Sequence, residues 1–147
     1  MIWTEELFSK HIDASQLDKD QVLEADLVII GSGAGGGSIV ETFAAKGLNV
    51  ILVEEGPLHT KKDFKMNEAE AYPNLYQESA GRTTDDKAIR VYQGRSVGGS
   101  TTINWTSSFR TPKATLDHWR KNYKINGISD AELNPWFERV EERFQIK

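Results

Sequence analysis

Leu27-Val28-Ile29-Ile30-Gly31-Ser32-Gly33-Ala34-Gly35-Gly36 is the stretch that decides the fold. Four aliphatic residues closed by a glycine read as a short strand buried on both faces, the pattern of a parallel sheet. The glycines then open a helix in which Ile39, Val40, Phe43 and Ala44 fall at helical spacing, with Gly47 as its C-terminal stop. A second aliphatic run, Val50-Ile51-Leu52-Val53, predicts another buried strand, ending in Glu54-Glu55-Gly56. Strand, helix and strand in so short a span make a βαβ unit.

The glycine spacing gives that unit a chemistry. A pyrophosphate needs hydrogen-bond donors and positive potential close to the backbone, and a helix N-terminus supplies both. Gly31 permits the turn out of the strand, Gly33 presents no side chain to the phosphates, and Gly36 lets the helix lie close on the strand. Glu54 ends the second strand, where its carboxylate can accept both ribose hydroxyls of an adenosine. Gly31, Ser32, Gly33, Gly36 and Glu54 are therefore candidate dinucleotide contacts in an α/β, Rossmann-like domain. Val40 is a mild departure, since helix packing there favours a smaller residue. Glycine clusters also mark ordinary turns, but here strand, helix, second strand and acid stand in the required order. An acid at Glu54 disfavours a 2′-phosphate, yet this motif alone does not separate FAD from NAD.

Outward from this unit the signals weaken. Residues 1–24 read as a polar leader packed on the domain, with a short helix from Thr4 to His11. Residues 25–147 read as one N-terminal part of a dinucleotide-binding domain. Lys65 to Ala71 predicts a helix ended by Pro73. Gly81 to Lys87 predicts a polar surface excursion, and Ala88 to Tyr92 a short strand. Two helices follow, each with a proline start signal. Thr111-Pro112 precedes Leu116, Trp119 and Tyr123, and Asn134-Pro135 precedes Trp136, Val140 and Phe144. Trp105, Trp119, Trp136 and Phe144 read as core residues.

A second glycine motif, Gly94-Arg95-Ser96-Val97-Gly98-Gly99-Ser100-Thr101-Thr102-Ile103-Asn104, leads into Trp105 and then Phe109-Arg110-Thr111-Pro112. Together with Gly31 to Gly56 it resembles the glucose–methanol–choline (GMC) oxidoreductases, and within them the long-chain alcohol oxidase branch and its bacterial relatives. The resemblance implies FAD as cofactor and a hydride taken from an alcohol CH–OH group. It marks Gly98, Gly99, Ser100 and Asn104 as flavin-contacting positions, while Arg95 reads equally as a charge near the phosphates or as a solvated surface charge. A second loop suits so extended a ligand, because the ribityl chain and flavin ring reach beyond one βαβ unit. Where members with covalent flavin carry a His before the Asn, this chain has Ile103, which implies non-covalent FAD. The aromatic Phe109 stands one place later than the family pattern, with Ser108 in its usual position, and implies a slightly different loop.

Composition excludes several other classes. The formal net charge is −4 without a basic block, which argues against a nucleic-acid partner. With no cysteine there is no disulfide or thiolate chemistry. No apolar run approaches the ~20 residues that cross a bilayer, and the N-terminus lacks the pattern of a secretory signal. The expected location is cytoplasmic or peripheral to a membrane.

Catalytic residues are not legible. In the resembled family a His acts as base, with a His or Asn partner, far toward the C-terminus; His11, His59 and His118 match neither context. No metal-ligand spacing stands out. The sequence reads as the FAD-binding part of a longer alcohol oxidoreductase, with the substrate domain absent and inactive alone. Its expected partners are a small alcohol and either the missing C-terminal portion or a complementing chain. A non-catalytic dinucleotide-binding module and a fragment of an NAD-dependent dehydrogenase are the alternative readings.

Overall fold

The computed structural model describes residues 11–146; most of the helix expected from Thr4 lies outside the described residues. The chain divides into two compact units, one running up to Ser100 and one from Thr101 onward.

In the first unit, β1 (Leu27–Ile30) and β2 (Val50–Val53) pair in parallel, with Leu27 opposite Val50 and Ile30 opposite Val53. Between them runs α1 (Ala34–Ala44), so the βαβ unit is present as read. The Gly31 N–H donates to the Val53 carbonyl at 2.7 Å, carrying the ladder one residue past β1. Gly47, at φ +84°, takes the left-handed conformation that turns the chain after α1, and its N–H bonds the Ala44 carbonyl.

Burial of the strands corrects one expectation. Only Ile29 of β1 is buried, while Val28 and Ile30 are 55% and 87% exposed. Side chains alternate across a strand. Ile29 faces α1, where a methyl on Gly36 would come within 3.4 Å of its Cγ2. The neighbouring side chains point to the other face, which no described element covers to the same degree. The aliphatic run is thus buried on one face, not both. Residues 11–24, expected to pack as a leader, are exposed throughout their described length.

Downstream, α2 spans Glu68–Leu75, three residues later at its start than predicted, because Asn67 caps it by accepting the Ala69 N–H at 3.1 Å. Pro73 lies inside this helix rather than ending it. Near the C-terminal end the missing N–H forfeits only the bond to the Ala69 carbonyl, and the helix runs on to bury Leu75. A 3-10 turn, Gln77–Ala80, follows, with Glu78, Ser79 and Ala80 all at positive φ. The strand expected over Ala88–Tyr92 does not form. Instead a narrow excursion closes through a Thr83–Arg90 bridge, with the Thr84 N–H bonding the Ile89 carbonyl at 2.9 Å. The polar turn over Gly81–Lys87 folds the segment back on itself, leaving no partner strand to extend the pairing.

The second unit contains α3 (Lys113–Tyr123) and α4 (Asp130–Phe144). Pro112, not Thr111, is the residue before the first turn of α3. In α4 the start lies earlier than the Asn134-Pro135 signal suggests. Ser129 accepts the Glu132 N–H while the Glu132 carboxylate accepts the Ser129 N–H, a reciprocal capping box that outweighs Pro135 as a start signal. Pro135 consequently sits inside the helix. Arg110 grips the Glu141 carboxylate through two nitrogens, at 2.7 and 2.6 Å, and also bonds the Asn134 side chain. The aromatics expected in the core are not there. Trp105 is 93% exposed, Trp136 60% and Phe144 73%, and Trp119 is also exposed. The amphipathic stripes are real, but among the described residues only Leu116 of this unit is fully buried. Helical spacing puts side chains on one face without supplying what that face packs against.

Candidate functional site

The first glycine loop has the geometry its spacing implies. Gly31 sits at φ +91°, which only glycine adopts without strain. A Cβ on Gly36 would collide with the Gly31 carbonyl, so this glycine is required for α1 to lie on the turn. Gly33 is the N-cap of α1 and provides no side-chain cap, and a Cβ there would meet no atom within 4 Å. The first turn of α1 therefore presents bare backbone toward open space, the arrangement that receives an anionic group.

The second loop is brought against the first. A Cβ on Gly99 would stand 3.1 Å from the Gly33 Cα, so the two backbones are in contact there. The Arg95 N–H bonds the Leu75 carbonyl at 2.7 Å and the Val97 N–H bonds the Pro57 carbonyl at 3.0 Å, holding the loop to the segments after α2 and β2. Gly98 and Gly99 both take positive φ, at +93° and +55°.

Glu54 lies where these pieces converge. Its Oε2 accepts the Ser32 N–H at 2.8 Å and the Ser32 hydroxyl at 2.6 Å, and its Oε1 accepts the Gly56 N–H at 2.9 Å. Burial pushes its pKa up, but the Ser32 hydroxyl and the amides of Gly56, Ser32 and Glu55 outweigh it and hold the carboxyl below its ordinary value. Glu54 is thus an ionised acceptor with three protein donors, leaving capacity chiefly on Oε1.

The remaining candidates take local partners. Ser100 accepts the Gly94 N–H on its hydroxyl at 3.1 Å, closing its own loop. Arg95 is half-exposed, with its Nε 3.5 Å from the Glu55 carboxylate, which also binds the Gln77 amide. Asn104 belongs to the second unit, where its Oδ1 accepts the Thr106 N–H at 3.0 Å.

Two site residues went unrecognised in the sequence. Gly56 is buried, and a Cβ on it would collide with the backbone of Arg95 and Ser96. Ser96 is wholly buried, and its hydroxyl has no hydrogen-bond partner among the described residues. Neither carries a local signal, because each matters only through a contact between distant segments. Of the histidines, His118 is exposed on α3 beside Asn122, and His59 has a buried Nε2 without a partner among the described residues. Among those residues no cluster of three metal-ligating side chains occurs, and no helix is long and apolar enough to cross a membrane.

A parallel βαβ unit with a bare helix N-terminus and an acid closing its second strand defines a Rossmann-like α/β fold of the dinucleotide-binding kind. A family model described as GMC oxidoreductase matches residues 72–147, and the chain belongs to that family. It is 32% identical to a long-chain-alcohol oxidase of Arabidopsis thaliana over 145 residues, covering 97% of this chain and 19% of that protein. An uncharacterized GMC-type oxidoreductase of Sinorhizobium fredii is 37% identical over 126 residues, covering 85% of this chain and 25% of that one. The crystal structure of pyridoxine 4-oxidase from Mesorbium loti superposes with a TM-score of 0.56 at 23% identity, over 76% of this chain and 23% of that chain. The chain thus spans about a fifth to a quarter of the length of these relatives.

Proposed function

We propose that this chain forms the dinucleotide-binding part of an FAD-dependent oxidoreductase acting on alcohols. The observation that carries the reading is the contact between the two glycine loops at Gly33 and Gly99, directly beside the uncapped start of α1. Two bare backbones meeting at a helix N-terminus suit a diphosphate with groups extending to either side. The family is FAD-dependent, and the Arabidopsis relative is a long-chain-alcohol oxidase by name.

In this reading the first turn of α1 donates backbone N–H groups to the diphosphate. Glu54 accepts from the adenosine ribose on Oε1, its less occupied oxygen. Gly98 and Gly99 let the second loop run alongside the ribityl chain without a side chain intervening. Arg95, paired with Glu55, supplies positive charge to the phosphates, and Ser100 offers a polar group to the flavin portion. When bound, FAD accepts the hydride from the alcohol carbon. Attachment is non-covalent, with Ile103 offering no nucleophile in this loop. The chain's own histidines take no proton-transfer part; the base and the alcohol pocket come from polypeptide beyond these residues.

Titrating the purified chain with FAD and separately with NAD, each followed by ligand fluorescence, tests this reading. Saturable quenching of flavin emission with no response to NAD is expected. Saturable binding of NAD without FAD would overturn it.

A further inference from the structure

We propose that Ser32 is a positioning residue whose hydroxyl couples the ribose-binding acid to the second glycine loop. The inference rests on the flavin reading above and adds a second role to a residue read from the sequence only as a candidate dinucleotide contact.

Ser32 is buried, and its side chain faces two partners far apart in sequence. Its Oγ lies 2.6 Å from Glu54 Oε2 and 2.8 Å from the Gly98 amide nitrogen. A hydroxyl has one proton to give and lone pairs to receive. An ionised carboxylate only accepts and a backbone amide only donates, so the direction of both bonds is fixed. The chain of donors runs from the Gly98 N–H to the Ser32 hydroxyl to the Glu54 carboxylate.

Each end of this relay touches the proposed cofactor cleft. Gly98 precedes Gly99, which lies against Gly33. Glu54 stands at the end of β2, and its Oε2 is filled by Ser32 through both N–H and O–H. Ribose therefore meets a carboxylate already oriented, with only Oε1 able to take a further hydroxyl alongside Gly56. A polarised Ser32 hydroxyl is also a stronger acceptor for the Gly98 amide. Removing it frees the second loop and lets the carboxylate rotate. A side chain that merely filled space would affect neither Gly98 in particular nor the ligand.

Amide hydrogen exchange at Gly98, measured by NMR on the chain without FAD, reads the relay directly, and FAD titration by flavin fluorescence runs in parallel. Ser32→Ala is expected to speed Gly98 exchange roughly tenfold, the scale of a lost hydrogen bond to a buried partner, and to weaken FAD binding. Ser32→Thr, which keeps the hydroxyl, is expected to restore both. Wild-type exchange at Gly98 in a folded Ser32→Ala protein would overturn the relay. Should that variant lose its circular-dichroism signal, Glu54→Gln decides: faster Gly98 exchange supports the relay and an unchanged rate overturns it. Failure of the wild-type chain to bind FAD removes both the flavin reading and the positioning role. Failure at Gly98 alone, with FAD bound, removes only the relay.

Discussion

Gly56 and Ser96 meet backbone to backbone, leaving no room for even one methyl group between the end of the first βαβ unit and the second glycine loop. The two motifs are thus joined by a contact in which neither residue uses a side chain. Gly56→Ala must push the 95–96 segment outward. Overpacking of this kind costs about 1–3 kcal/mol, and the loop shift should weaken FAD binding as well. Denaturant unfolding and a flavin titration on the same variant check both effects; an unchanged midpoint and affinity would refute the close approach.

Gly33 and Gly36 separate ligand binding from folding. A methyl on Gly36 collides with the Gly31 carbonyl, whereas one on Gly33 meets nothing within 4 Å. Gly36→Ala should therefore lower the unfolding midpoint clearly. Gly33→Ala should leave it within about 0.5 kcal/mol, as surface substitutions do, while reducing FAD affinity by tenfold or more. Equal effects of the two on stability would contradict the open space seen at Gly33.

Glu54 sets a pH dependence whose sign is fixed. Its carboxyl is held below the ordinary value because the Ser32 hydroxyl and neighbouring amides outweigh its burial. A depressed folded pKa contributes stability above the unfolded value of ~4.3, and that stability is lost as pH falls through it and on through the lower folded value. Glu54→Gln should flatten this part of the profile. Melting curves from pH 7 down to pH 3 should show the wild type losing more stability than the variant, and parallel curves would exclude the contribution.

The capping box of α4 is a stability element remote from the cofactor loops in sequence. Ser129→Ala removes the side-chain acceptor for the Glu132 N–H and should cost about 1 kcal/mol. Helical signal from α4 should fall while flavin titration of the same protein is unchanged. A parallel loss of FAD affinity would show the cap to be tied to the site.

Particular residues show what was readable in advance. The β1–α1–β2 order, the turn at Gly31 and the approach at Gly36 follow from local spacing, because each is fixed by neighbours a few positions away. Helix boundaries followed the caps rather than the prolines. Asn67 and Ser129 start α2 and α4, while Pro73 and Pro135 are absorbed inside them. A missing N–H costs one bond, whereas a good cap satisfies donors that would otherwise be orphaned. Trp105, Trp136 and Phe144 have the spacing of core residues yet are exposed, because apolar spacing identifies a face but not its cover.

By itself the amino-acid order determined a dinucleotide-binding βαβ unit and its family, since glycine placement and strand periodicity are properties of short windows. Only the tertiary structure decided that Glu54 is held by Ser32, that Ser32 reaches Gly98, and that Gly56 must be small for Ser96 to pass. Those are encounters between segments distant along the chain. No local pattern records them, because the distance between two such atoms is set by the path of everything folded between them.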